Sequence, residues 1–135
     1  MGKRILFIDD ESELVEDLPV VLKEEGFEVV ATTDVAEAIK LFKESEFDIV
    51  LTDIAMPPSP DMDAREVEYG RETGVAIAAK IHRLKPSVHI VALTVIRDPE
   101  IVTRMRQAGI QEILNKPVEV EAIIEVLRRV TIDGK

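Results

Sequence analysis

A doubly wound α/β fold is what this sequence predicts: a five-stranded parallel sheet in the order 2-1-3-4-5, with helices on both faces. Three observations predict it. Short apolar runs without polar alternation, such as Ile5 to Ile8 and Ile49 to Leu51, suit strands that are covered on both faces. Helix-period segments separate these runs in regular alternation, and right-handed crossovers then place helices on either side of a parallel sheet. Polar residues end the first, third, fourth and fifth runs, at the sheet edge where open α/β folds gather their ligands.

The elements follow in chain order. Lys3 to Asp9 holds the first strand and ends in the acidic pair Asp9-Asp10. A helix from Glu11 turns Leu14, Val15, Leu18 and Leu22 inward and closes at Gly26, with Pro19 expected either to kink it or to leave a short first segment. Glu28 to Ala31 makes the second strand. Asp34 and Glu37 form a capping-box pattern ahead of a helix that buries Val35, Ala38, Ile39 and Phe42. Phe47 to Pro57 is the central strand and its exit, with Asp53 just past the apolar run. Residues 58–73 then break the pattern for longer than the usual βα connection of about 2 to 6 residues, so they read as an insertion. Thr73 is the expected N-cap of a helix carrying Val75, Ala78, Ala79, Ile81 and Leu84, which stops before Pro86. Val88 to Leu93 is the fourth strand. Asp98, Pro99 and Glu100 open the next helix, which runs to about Ala108 and is closed by Gly109. Ile110 to Leu114 is the fifth strand, and Glu119 to Val130 the last helix, burying Ile123, Ile124 and Leu127. Residues 1–135 therefore read as a single domain with one inserted loop.

Composition narrows the functions. At 135 residues and 46% hydrophobic content, the chain can bury about two-thirds of its unfolded surface without staples. It has no cysteine, which removes disulfides and thiolate metal sites and suggests a reducing, cytoplasmic setting. The four-residue apolar run near the start is too short for a leader or a spanning segment, so no membrane association is expected. A net charge of -10 opposes nucleic-acid binding by this domain and favours cation binding. His82 and His89 fall away from the carboxylate end and read as packing or surface residues; Arg97, Arg104, Arg106, Arg128 and Arg129 read as solvated helix faces.

The predicted fold gathers Asp9, Asp10, Asp53, Thr94 and Lys116 into one crevice. Three carboxylates packed together repel each other and require protons, a lysine or a hard divalent cation. Mg²⁺ fits, because it takes oxygen ligands, keeps several waters and uses one or two carboxylates beside phosphate oxygen. Thr94 and Lys116 can donate hydrogen bonds to an anion beside the metal. These are the parts of a phosphoryl-transfer site.

With Asp9-Asp10, the stretch Asp53-Ile54-Ala55-Met56-Pro57, Leu93-Thr94 and Lys116-Pro117 in order and at matching spacing, the chain resembles the receiver domains of two-component response regulators over nearly its whole length. The resemblance implies a flavodoxin-like fold and a phosphoacceptor signalling function. By that resemblance Asp53 accepts a phosphoryl group from a sensor histidine kinase or a histidine phosphotransfer protein, and the domain switches conformation to regulate a downstream protein. It also implies Mg²⁺ held by Asp10, Asp53 and the Ala55 carbonyl, with Asp9 acting through a metal-bound water. Thr94 would close onto the phosphoryl oxygens, Lys116 would pair first with Asp53 and then with its phosphate, and the Lys116-Pro117 bond would be cis. Such a domain is no enzyme beyond Mg²⁺-dependent self-phosphorylation and slow self-dephosphorylation.

Departures from the family pattern are informative. The switch position three residues before the lysine, usually Tyr or Phe, is Ile113 here, so the usual aromatic rotamer exchange is impossible. The residues flanking the path of the hydrolytic water are Ala55 and Ile96, neither of which can orient it, and a long-lived phosphoryl group is expected. The 58–73 insertion is expected to form a partial lid at the crevice, anchored by Tyr69. Two other functions fit an α/β sheet of this kind. A haloacid-dehalogenase-type phosphatase requires a second Asp where Ala55 stands, and an FMN-binding flavodoxin-like module requires an anion-binding first loop where Asp9-Asp10-Glu11 stands.

Overall fold

Apolar runs become strands at the positions their periodicity marks. The computed structural model describes residues 3–60, 62–67 and 70–133, the last three by backbone alone. Its strands are β1 (Arg4–Ile8), β2 (Glu28–Thr32), β3 (Ile49–Thr52), β4 (His89–Thr94) and β5 (Glu112–Asn115), all parallel and ordered β2-β1-β3-β4-β5. The register decides where the polar strand ends go. Ile8 lies opposite Thr52, so the residues that follow, Asp9 and Asp53, leave neighbouring strands at one level. Thr94 lies opposite Asn115, which brings Lys116 to the same edge.

Alternate side chains of each central strand face opposite sides, so one sheet builds two cores. Leu6, Ile8, Val50, Ile90 and Ala92 point to the face covered by α2 (Val35–Glu44), α3 (Thr73–Leu84) and α4 (Pro99–Gln107). Ile5, Phe7, Ile49, Leu51, Val91 and Leu93 meet α1 (Ser12–Glu24) and α5 (Val120–Asp133) on the other. Each core residue on the central strands is fully covered, as a parallel sheet under helices demands.

Local signals set most helix ends. Asp34 accepts from the Glu37 amide at 3.1 Å, and Asp98 from the Glu100 amide at 2.9 Å with Pro99 just inside the helix. Gly26, at φ +98°, lets the Phe27 amide reach back to the Leu22 carbonyl and close α1. Pro19 does not divide α1. The helix runs through it, and the ring is buried against the core, where packing offsets the missing donor. In α3 the core positions are Ile77, Ala78 and Ile81, whereas Leu84, expected inside, is 48% exposed because the helix ends there.

The 58–73 region is more than a solvated loop. Val67 and Ser59 are buried, and Met62 packs against the α2–α3–α4 core. Its return is pinned by main-chain bonds: the Met56 amide donates to the Gly70 carbonyl at 2.8 Å, and the Gly74 amide to the Ile54 carbonyl at 2.8 Å. Thr73 does not cap α3 as expected. Its hydroxyl donates to the Met56 carbonyl instead, and Glu72 occupies the cap position. Gly74 is required by contact rather than by a turn, since a Cβ there would lie 2.2 Å from the Asp53 carbonyl oxygen. Tyr69, the expected anchor, lies outside the described residues.

Candidate functional site

Asp9, Asp10, Asp53, Thr94 and Lys116 all stand at the carboxyl edge of the sheet. Carboxylate oxygens of Asp9, Asp10 and Asp53 lie within 4.8 Å of one another. Asp9 has no exposure and Asp53 is buried, while Asp10 faces solvent. Among the described residues, Lys116 supplies the one cation in contact with the buried pair. Its Nζ is 2.8 Å from Asp9 Oδ2, 3.2 Å from Asp53 Oδ2 and 3.5 Å from Glu11 Oε1. The shorter bond is therefore to Asp9, not to Asp53. Asp9 is the more deeply buried carboxylate, so compensation by a charge is worth most there.

The remaining oxygens are also held. Asp9 Oδ1 accepts from the Glu11 amide at 2.9 Å, and Asp53 Oδ1 from the Ile54 amide at 2.7 Å. Burial pushes the Asp53 carboxyl above its ordinary range; the Lys116 charge opposes this, and the Asp9 charge adds to it. Lys116 is desolvated too, but its hydrogen bond to Asp9 and the Asp53 and Asp9 charges outweigh that and hold it above the usual lysine range. Its stabilising contribution is full at neutral pH and is lost only as pH rises through that raised value. The site thus carries more negative charge than its own lysine cancels. Clustered hard oxygen donors of this kind fit a divalent cation such as Mg²⁺.

Thr94 is fully buried at the end of β4, and its Oγ1 accepts from the Ile96 amide at 3.2 Å, which leaves its hydroxyl hydrogen to donate. Asn115 ties the loop after β4 to β5 by donating to the Ile96 carbonyl at 3.0 Å. Ile96 is buried beside it, whereas Val95 is 60% exposed. Ala55 is half-buried on the loop that leaves Asp53. Ile113 is half-buried and packs against the α2–α3–α4 core. The Lys116-Pro117 bond is cis.

A second electrostatic link escapes sequence reasoning. Glu72, nearly buried at the end of the insertion, receives both Arg104 Nε at 2.7 Å and Arg104 NH2 at 2.8 Å, a bidentate pair between the start of α3 and the side of α4. Arg71 adds a looser pair to Asp98 at 3.6 Å. Arg104 is thus no freely solvated residue, and neither are Arg128 and Arg129, which pair with Glu25 and Glu112. Neither partner in the Glu72–Arg104 pair stands in a motif, and 32 residues separate them. His82 does pack, beneath Gly109, and His89 Nδ1 lies 2.7 Å from Gln111 Oε1.

Comparison with known proteins agrees with this architecture. The family model for the response regulator receiver domain matches residues 5–128. The chain is 27% identical to the chemotaxis protein CheY of Thermotoga maritima over 132 residues, covering 97% of this chain and 99% of that protein. It is 32% identical over 126 residues to the transcriptional regulatory protein PdtaR of Mycobacterium tuberculosis, covering 93% of this chain but only 55% of that one. A CheY-like receiver domain protein from Methanospirillum hungatei superposes with a TM-score of 0.85 at 24% identity, over 99% of this chain and 97% of that one.

Proposed function

Because this chain belongs to the response regulator receiver domain family, we propose that Asp53 is the phosphoacceptor of a signalling switch charged by a phosphohistidine on a sensor kinase or phosphotransfer protein. One observation carries the assignment: among the described residues the carboxylates of Asp9, Asp10 and Asp53 converge at the sheet edge beside Lys116, and Asp53 follows the central strand among them. In the transfer, an Asp53 carboxylate oxygen attacks phosphorus, the P–N bond to the donor imidazole breaks with its electron pair, and a mixed anhydride forms. Reversal by water breaks the new P–O bond, returns the carboxylate and releases inorganic phosphate.

Asp10, Asp53 and the Ala55 carbonyl would hold Mg²⁺, with Asp9 acting through water. Bound there, the cation neutralises charge that develops on the transferring phosphoryl oxygens. The chain's own groups do the rest. Burial and the Ile54 amide hold the Asp53 carboxylate in one orientation, which converts encounter into an aligned attack. Lys116, already 3.2 Å from Asp53, donates to a phosphoryl oxygen, and the Thr94 hydroxyl donates to another. The domain performs no turnover on a foreign substrate; its output is the conformation it presents to a downstream protein. As the chain spans 55% of PdtaR, attachment to a further output module belongs to the same reading.

Ala55 and Ile96 offer no hydrogen bond to an incoming water, and Ile96 is buried beside Thr94. The phosphoryl group therefore persists. Intact-mass measurement after incubation with a small phosphodonor and Mg²⁺ tests the assignment. The expected result is one phosphoryl adduct, acid-stable and base-labile, that is absent in Asp53→Asn; a full-strength adduct on the variant overturns it.

A further inference from the structure

We propose that the groove between α2 and α3, walled on its third side by Ser59, Met62, Asp63, Glu66 and Val67, is a docking site for an acidic amphipathic helix of a partner protein. The groove encloses about 740 Å³. Lys40 and Lys43 on α2, and Lys80 and Arg83 on α3, line it as two cation pairs, each spaced i, i+3. None of the four makes an ion pair or hydrogen bond with a described residue. In a chain of net charge -10, four uncommitted cations converging on one groove run against the overall balance.

The carboxylates in the same groove do not cancel them. Glu72 is committed to Arg104 and Asp63 to the neighbouring Arg65, which among the described residues leaves Glu44 and Glu66. Between the cation pairs the floor is apolar and shallow, formed by Ile39, Ala76 and Ala79, with Met62 and Val67 on the insertion side. Small residues on the floor let a helix approach closely, ridge into groove. Carboxylates three or four residues apart on such a helix repeat at about 5–6 Å, the spacing of each cation pair. Charge complementarity and repeat thus point to the same occupant. A second copy of this chain fits less well, because two bodies of net charge -10 repel and a contact of this groove with a different face does not close into a dimer.

The experiment titrates the isotope-labelled protein with a synthetic amphipathic helix of roughly 18 residues, Leu on one face and Glu flanking it, and with its Glu-to-Lys counterpart. Saturable amide shifts centred on Ile39, Ala76 and Ala79 with the Glu peptide only, weakening as salt rises, are expected. Lys40→Glu combined with Lys80→Glu should weaken the Glu peptide at least about tenfold and admit the Lys peptide; Lys43→Glu with Arg83→Glu is the second pair should the first unfold. No shift at the groove up to about 1 mM peptide, or equal binding of both peptides, overturns the proposal. So does perturbation of the same amides by inorganic pyrophosphate alone, which marks a simple anion site, or by self-association, which marks a second copy. Labelling of Asp53 by a small phosphodonor should be unchanged in these variants, so failure here is separable from failure of the phosphoacceptor reading.

Discussion

Among the ionic groupings of the described residues, the one at the sheet edge and the one across α3 and α4 are built to opposite rules. At the sheet edge Lys116 is shared by Asp9, Asp53 and Glu11, with Asp10 beside them, so negative charge remains in surplus. Across α3 and α4, Glu72 and Arg104 match one to one in a bidentate fork that leaves nothing over. A balanced pair holds a structure; an unbalanced cluster of oxygen donors suits a cation. Surplus charge among buried groups, more than the presence of ion pairs, therefore separates a chemical site from a brace.

Lys116→Ala should slow Mg²⁺-dependent labelling of Asp53 by about 10²-fold, since a donor aimed at the phosphoryl oxygens is lost, while leaving the Glu72–Arg104 brace intact. Quenched intact-mass time courses measure this, and an unchanged rate would remove Lys116 from the chemistry. In the brace the expected loss is of stability alone. Arg104→Ala strands a buried carboxylate and should lower stability in urea unfolding, with the small-donor labelling rate preserved. Glu72→Gln should cost less, because it strands only a cation that water can reach.

Ile96→Glu supplies a group that can orient the hydrolytic water and should shorten the phosphoryl lifetime roughly tenfold; slower decay would count against the argument. The smallest expected effect lies in thermal unfolding. Burial raises the Asp53 carboxyl above its ordinary value, so its charged form is a liability to the fold. Stability from this group is full below the unfolded-state value and is lost as pH rises through the raised one. Without divalent cation, Asp53→Asn should thus raise Tm by about 3 °C near neutral pH and by nothing near pH 3, where both states are protonated. Mg²⁺ should shrink or reverse that advantage by binding the native carboxylates. A Tm gap that ignores both pH and Mg²⁺ would show that desolvation at Asp53 is not its source.

The fold was legible because its signals are local. Unalternating runs such as Ile5–Ile8 and Ile49–Leu51 and caps at Asp34 and Asp98 need only their neighbours, and the parallel order follows from crossover geometry. The clustering of Asp9, Asp10, Asp53 and Lys116 was legible for the same reason, since each ends or follows a strand whose register is set by the sheet. What stayed hidden depends on distant partners. Nothing near Glu72 announces Arg104, nothing in Thr73 says that its hydroxyl turns to Met56, and the sharing of Lys116 with Asp9 depends on relative burial. The insertion's charges and prolines favour solvated chain, while Val67 is buried and Met62 packs partly buried against the core. Deleting residues 59–72 should therefore destabilise the domain, by about 2 kcal/mol for Val67 alone.

Gly74 carries a last consequence, for tolerance to mutation. Its α-hydrogens sit where any side chain would drive into the backbone of Asp53 and Ile54, at 2.2 Å and 2.6 Å. In a saturation scan scored by signalling output, position 74 should be as intolerant as Asp53 itself, and alanine should fail there almost as completely as tryptophan. A profile of that shape marks a steric keyhole rather than a reactive group. Chemistry tolerates the nearest isostere better than the rest, whereas a backbone contact rejects the first carbon added.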